Sequence, residues 1–292
     1  MNIRKLDKSK ENDLSIVTNF TDKVFSENSD LKTEICRSIF SKLHKDIIMV
    51  CNEKEILVLA STHKSYWHPH CIYVRLAYNL DAVDEQALQS IISELKSTYD
   101  QPLFFLLDDR FNQLKEMLAR NKFKMIRKTA IIHIDPTQSV GKTERDERIL
   151  SIRQIRDNKA RMDCFVQLCK KTYTETHTDN PVANLPIESW KDAALDGLMD
   201  EHSYVIVDGL EITAFSLLYE SDEKSWELGW IGVNDLARIT DLDRLIHRQI
   251  EDAVKQGISF IEKEVDSTCP YSLHICESLK YEVAETLYAY LK

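Results

Sequence analysis

Between Trp226 and Val254 the sequence WELGWIGVNDLARITDLDRLIHRQIEDAV changes periodicity across one short loop. Trp226, Leu228, Trp230 and Val233 are strand-favouring or apolar, and Gly229 and Gly232 admit the close approach of a backbone or a ligand. From Leu242 onward Leu245, Ile246, Ile250, Ala253 and Val254 recur near helical spacing, with charge on the remaining face. A strand that feeds straight into a helix N-terminus presents unpaired N–H groups at the loop, a place suited to an anion such as a pyrophosphate.

The rest of the chain repeats this alternation, which predicts an α/β (α+β) fold with mixed sheets. In residues 1–134 the patterns predict strands at Asn2 to Leu6, Asp46 to Cys51, Glu55 to Ser61, Cys71 to Leu80, Pro102 to Leu107 and Phe123 to Ile134. Helices are predicted at Asp13 to Ser26, Leu31 to Leu43, Asp84 to Tyr99, with Asp84 as N-cap, and Phe111 to Arg120. Residues 135–149 are polar, carry Pro136 and Gly141, and read as a linker. Its Gly141-Lys142-Thr143 echoes a phosphate-binding loop, but Pro136 stands where that motif needs glycine.

Residues 150–292 place strands at Leu150 to Ile155, Tyr204 to Val207, Glu211 to Tyr219, around Glu227, at Phe260 to Val265 and at Val283 to Leu291. Helices fall at Asn158 to Thr174, Ile187 to Ala194, after Asp241 and at Tyr271 to Leu279. The two halves are collinear, and their tails FNQLKEMLARNKFKMI and YSLHICESLKYEVAET align, as a tandem duplication would leave them.

A net charge of −10 argues against a nucleic-acid partner, because no basic field offsets phosphate repulsion. The N-terminus MNIRKLDKSKENDL lacks an apolar signal region, and no apolar run approaches the ~18 residues that span a bilayer. The expectation is a cytoplasmic protein without membrane association, its seven cysteines reduced thiols without CxxC spacing. Two histidines and a thiol meet in Trp67-His68-Pro69-His70-Cys71, but adjacent ligands split by proline rarely converge on one ion, so no metal is expected.

The strand–loop–helix layout resembles the core of the GNAT N-acetyltransferase superfamily, where a strand, the loop (Arg/Gln)-x-x-Gly-x-(Gly/Ala) and a helix grip coenzyme A. Aligned without gaps, Arg238, Ile239, Thr240, Asp241, Leu242 and Asp243 occupy that loop; Arg238 fits, and both small positions are aspartates. Lys122-Phe123 and Lys280-Tyr281 stand where the family's closing segments carry Gly-Phe, so the resemblance implies two tandem GNAT-like domains.

The resemblance also implies roles. The first-half loop Asn79 to Asp84 has no glycine or basic residue and carries two acids, so residues 1–134 read as a degenerate domain and residues 150–292 as the acetyl-CoA site. Glu227, eleven residues before Arg238, corresponds to the strand carboxylate that takes the acceptor's proton. Trp230, Ile231, Gly232 and Val233 lie on the strand whose free backbone groups hold the pantetheine arm and polarise the thioester. Asp266-Ser267-Thr268-Cys269 resembles the Asp-Ser-x-Asn stretch of many members, and Cys276 replaces the general-acid tyrosine, with Tyr271 and Tyr288 as other donors. His177 to Pro181 falls where members line the acceptor pocket.

Asp241 and Asp243 bear on that reading, since each would meet a pyrophosphate charge at ~5 Å at a cost of ~3 kcal/mol for an effective dielectric of about 20. Arg238, Arg244 and Arg248 are the available counter-charges, while Asp241 as a plain N-cap needs no ligand. The expected function is transfer of an acetyl group from acetyl-CoA to a small-molecule amine, with no metal. Two alternatives stay open: a catalytically inactive GNAT-like ligand-binding module, and an interaction protein that uses the fold to form a homodimer.

Overall fold

The computed structural model describes residues 1–7, 9–25, 30–53, 55–82, 84–139 and 146–292. Lys54 of the first hairpin turn, Val83 of the first-half loop and Gly141-Lys142-Thr143 of the linker lie outside the described residues. The chain forms two compact units: Met1–Ile126 with Asn180–Ala183 and Leu287–Lys292, and Arg127–Asp179 with Asn184–Thr286.

In the first unit β1 (Asn2–Leu6), α1 (Glu11–Val24) and α2 (Asp30–Phe40) lead into β2 (His44–Cys51), β3 (Ile56–His63) and β4 (Ile72–Tyr78). Helix α3 (Glu85–Thr98) crosses over to β5 (Leu103–Leu107), which lies parallel to β4, and α4 (Asn112–Arg120) follows. Asp84 caps α3 by accepting from the Ala87 N–H at 2.9 Å. The apolar face of α3, Ala87, Leu88, Ile91, Ile92 and Leu95, is buried against the sheet. Tyr78 at the end of β4 and Phe111 just beyond β5 meet edge-on in this core, ring centroids 5.8 Å apart.

In the second unit β7 (Ile149–Ser151), α5 (Ile152–Ile155), α6 (Lys159–Thr176) and α7 (Ile187–Leu195) precede the antiparallel strands β8 (Tyr204–Asp208), β9 (Glu211–Glu220) and β10 (Ser225–Val233). Helix α8 (Asp241–Gln256) crosses over to the parallel strand β11 (Phe260–Asp266), and α9 (Pro270–Ser278) follows. One face packs Trp226, Leu228, Ile231, Ile261 and Val265 against the apolar stripe of α8 and against Ile275 of α9. On the other, Phe165 of α6 meets Phe215 of β9 edge-on at 5.9 Å.

The sequence pattern over Leu150 to Ile155 predicts a strand, but only Ile149–Ser151 is extended. Ser151 and Gln154 close a capping box, with Gln154 Oε1 accepting from the Ser151 N–H at 2.8 Å, and this starts α5 instead.

The closing strands come from the opposite halves of the sequence. Strand β6 (Lys124–Ile134) follows α4, yet its residues Thr129 to Ile134 pair antiparallel with β11. Strand β12 (Glu282–Leu291) follows α9, and its residues Tyr288 to Leu291 pair antiparallel with β5. The sheet order is therefore β1-β2-β3-β4-β5-β12 in the first unit and β6-β11-β10-β9-β8-β7 in the second. The segment Asn180–Ala183 joins the first unit through the histidine-rich loop. His68 Nδ1 lies 2.8 Å from the Asn180 carbonyl, Cys71 Sγ donates to Asn180 Oδ1 at 3.3 Å, and the Ala183 N–H donates to the Trp67 carbonyl at 2.7 Å. His68 and Cys71 thus anchor a chain segment.

Among the described residues no helix is long and apolar enough to cross a membrane, and no group of three His, Cys, Asp or Glu side chains is placed to hold a metal.

Candidate active site

Strands β10 and β11 run together for three residue pairs, Ser225↔Phe260, Trp226↔Ile261 and Glu227↔Glu262, and then part. Opposite β9 the register of β10 shifts between Leu228 and Ile231, so Gly229 and Trp230 sit in a bulge. The edge of β10 that faced β11 therefore continues without a strand partner beyond Glu227. Backbone N–H and C=O groups there need other acceptors and donors.

Two glycines make this shape for reasons inside the protein. A Cβ at Gly229 would stand 2.4 Å from the Tyr219 ring, and one at Gly232 would stand 2.6 Å from Thr172 Cγ2 on α6. The sequence suggests Gly232 for the close approach of a backbone or a ligand; what comes close is the side chain of Thr172 on helix α6, and the bulge lies two residues earlier.

Glu227 is exposed and lies in a row across the sheet: Tyr219 on β9, Glu227 on β10, Glu262 on β11 and His133 on β6. His133 Nε2 is 3.2 Å from Glu262 Oε2 and its ring stacks on Phe260 at 4.2 Å. Two carboxylates on neighbouring strands repel each other unless a cation intervenes. Beside them Trp230, half-buried, packs against Tyr173 of α6 at 5.1 Å and Trp190 of α7 at 6.2 Å, and Tyr173 stacks on His177 at 4.0 Å. Glu227, Trp230, Tyr173 and His177 thus come from β10 and from α6 with its C-terminal end, within one unit.

Helix α8 begins differently from the predicted cap. Thr240 occupies the N-cap in helical backbone conformation without a side-chain cap bond, and Asp241 is the first helical residue. The Asp241 carboxylate accepts from Arg238 Nε at 2.9 Å and from Arg244 Nη1 at 3.3 Å. Arg244 also pairs with Asp146, which Arg148 holds at 3.0 Å. Asp243 is bound by His274 of α9 at 3.0 Å. The Leu242 and Asp243 N–H groups donate to the Ile239 and Thr240 carbonyls at 3.0 and 3.2 Å. To hold a pyrophosphate here, these arginines and amides would have to leave their present partners.

Helix α9 places Cys276, half-buried, within hydrogen-bonding reach of Tyr281, and burial pushes its thiol above the usual range, so it stays protonated at neutral pH. Burial likewise pushes the Tyr271 hydroxyl up to about 12. Tyr288 belongs to the first unit, where Lys115 Nζ lies 4.0 Å over its ring. In the Asp266 to Cys269 stretch, Ser267 Oγ accepts from the Lys128 N–H at 2.9 Å, and Cys269 starts α9 and takes a hydrogen bond on sulfur from Ser272 Oγ at 3.3 Å.

Lys263 lies at the bulge of this candidate site, and no motif singles it out. Its Nζ, 6% exposed as a residue, donates to the Gly229 carbonyl in the bulge at 2.9 Å. The signal was present: strict alternation in Phe260 to Val265 puts Lys263 on the buried side, between Ile261 and Val265.

No protein-family model matches the sequence, and neither does any curated protein. Solved structures do match over the whole chain. A GCN5-related N-acetyltransferase from Sphaerobacter thermophilus superposes with a TM-score of 0.62 at 12% identity, covering 100% of this chain and 95% of that one. A tandem GNAT protein from the clavulanic acid biosynthesis pathway gives 0.58 at 9% identity, covering 100% and 98%. A GNAT-family acetyltransferase from Colwellia psychrerythraea gives 0.53 at 10% identity, covering 100% and 99%. At such identities the likeness is one of fold, and on that ground the chain has the two-domain GNAT fold of these acetyltransferases.

Proposed function

We propose that the second half of the chain, residues 150–292, is an acyltransferase that moves an acetyl group from acetyl-CoA to a small-molecule amine, with residues 1–134 a degenerate GNAT-like partner and 135–149 the linker. The observation that carries this reading is the parting of β10 from β11 just after Glu227, which leaves an unpaired strand edge beside an exposed carboxylate. The GNAT fold supports it.

Acetyl-CoA supplies an activated thioester; the chain's own residues do the rest. Glu227 accepts the proton of the incoming ammonium, without which an amine has no lone pair for attack. The strand Trp230, Ile231, Gly232 and Val233 offers backbone groups for the pantetheine arm and the carbonyl. Cys276, protonated at neutral pH, is the donor toward the departing thiolate. Arg238, Ile239, Thr240, Asp241, Leu242 and Asp243 form the pyrophosphate end, where Arg238 and Arg244 exchange Asp241 for phosphate. The paired carboxylates Glu227 and Glu262 and the half-buried faces of Trp230 and Tyr173 favour a cationic acceptor.

The test is calorimetric titration with acetyl-CoA, then thiol release in the presence of a panel of primary amines and polyamines. Saturable binding and amine-dependent thiol release that Glu227→Gln lowers at least a hundredfold are expected. No binding of acetyl-CoA favours the second reading, a ligand-binding module that has lost coenzyme A, for which the arginines committed to Asp241 and Asp146 argue.

A further inference from the structure

In a β-ladder the groups on the free edge of β10 would bond to β11; here a side chain does so instead. Beyond Glu227↔Glu262 the strands are apart, and Lys263 reaches back from β11 to the carbonyl of Gly229 at 2.9 Å. Its stem lies in the apolar layer with Ile261 and Val265, and the residue is 6% exposed. The Gly229 carbonyl is the single hydrogen-bond acceptor for its three N–H donors among the described residues. Burial drives the ammonium toward neutrality, opposed by the nearby carboxylates of Glu264, Asp266 and Glu227. An ammonium held this way is expensive, because one acceptor does not replace its hydration.

We propose that Lys263 is a gate on the donor groove of the second unit: its ammonium occupies the strand edge that the pantetheine arm of an acyl-CoA needs, and the donor binds only when Lys263 withdraws. This rests on the acetyl-CoA reading above. The donor and the side chain compete for one carbonyl and for one volume. A neutral side chain of similar length frees the carbonyl and keeps the volume filled, and a short one frees both.

The experiment is calorimetric titration of acetyl-CoA into the full-length wild type, Lys263→Met and Lys263→Ala, with thermal unfolding of each. Both variants are expected to stay folded, Lys263→Met with a Tm no lower than wild type, since it removes a poorly solvated charge. Affinity is expected to rise at least tenfold in Lys263→Ala, with Lys263→Met between it and the wild type. Equal or weaker binding by folded variants, with the wild type binding, overturns the gate and leaves the acetyl-CoA reading standing. Failure of all three proteins to bind overturns both. If one variant does not fold, the other decides by the same comparison.

Discussion

Replacing Asp241 by asparagine separates charge from shape at the start of α8. The carboxylate now accepts from Arg238 at 2.9 Å and Arg244 at 3.3 Å, and its side chain is 15% exposed. Asn keeps the outline, removes one negative charge and loosens both arginines. Against a pyrophosphate ~5 Å away, one charge is worth ~3 kcal/mol at an effective dielectric of about 20. Screening at physiological salt, with arginine side chains 31% and 36% exposed, cuts this to roughly 1–1.5 kcal/mol. Acetyl-CoA affinity should therefore rise about tenfold at physiological salt, and more at low salt. The freed arginines act in the same direction, while the lost pairs cost about 1 kcal/mol of stability. Calorimetry at low and high ionic strength is the assay, with urea unfolding alongside. An unchanged or weaker affinity, or a gain that does not shrink with salt, would refute the placement of a pyrophosphate at this loop.

Other predictions concern the frame that holds the site. Gly232→Ala brings a methyl to within 2.6 Å of Thr172 Cγ2 and 3.0 Å of Phe215, so it should cost roughly 1–3 kcal/mol in urea unfolding, with partial recovery in the double variant carrying Thr172→Ser. Ser151→Ala removes the capping box of α5 and should cost ~1 kcal/mol. Asp252 is buried, which raises its pKa, yet hydrogen bonds from Tyr204, His202 and Lys255 outweigh burial and hold it below the usual carboxylate range. Its contribution is thus fully present above the unfolded value of about 3.9 and is lost as pH falls through the lower folded value. Asp252→Asn should flatten that acid limb of a stability–pH profile, and should cost about 2–3 kcal/mol at neutral pH because Tyr204 and His202 lose a charged acceptor.

The order of strands and helices was legible because each element carries its own period. The apolar stripe of α3 behind Asp84 and the Leu242 to Val254 face of α8 are local facts, and the structure buries both as predicted except Val254, which is exposed. The departures have non-local causes, or local ones that were overlooked. Ser151 and Gln154 signal a helix start, but Leu150 and Ile152, alternating with Ser151 and Arg153, mimic a strand. The pairing of β6 with β11 and of β12 with β5 depends on register partners more than a hundred residues away in sequence, so no local pattern announces it. Gly232 is required by Thr172, on a helix sixty residues earlier. At the candidate site, the resemblance proposes Glu227 from its spacing to Arg238, whereas the partners of Asp241 and Asp243 depend on where Arg244 and His274 point. Lys263 was hidden by its neighbours: between Glu262 and Glu264 it looks like part of a solvated charge run, and only strand parity places it inside.

The central claim is that an acyl-CoA lies along the free edge of β10 in the second unit. Amide hydrogen exchange of the full-length protein with and without acetyl-CoA tests it most directly. Slowed exchange at Trp230 to Val233 and in the first turn of α8, with β4 and α3 unchanged, is the predicted result. Exchange that is unaltered at saturating acetyl-CoA, or protection confined to the first unit, would contradict it.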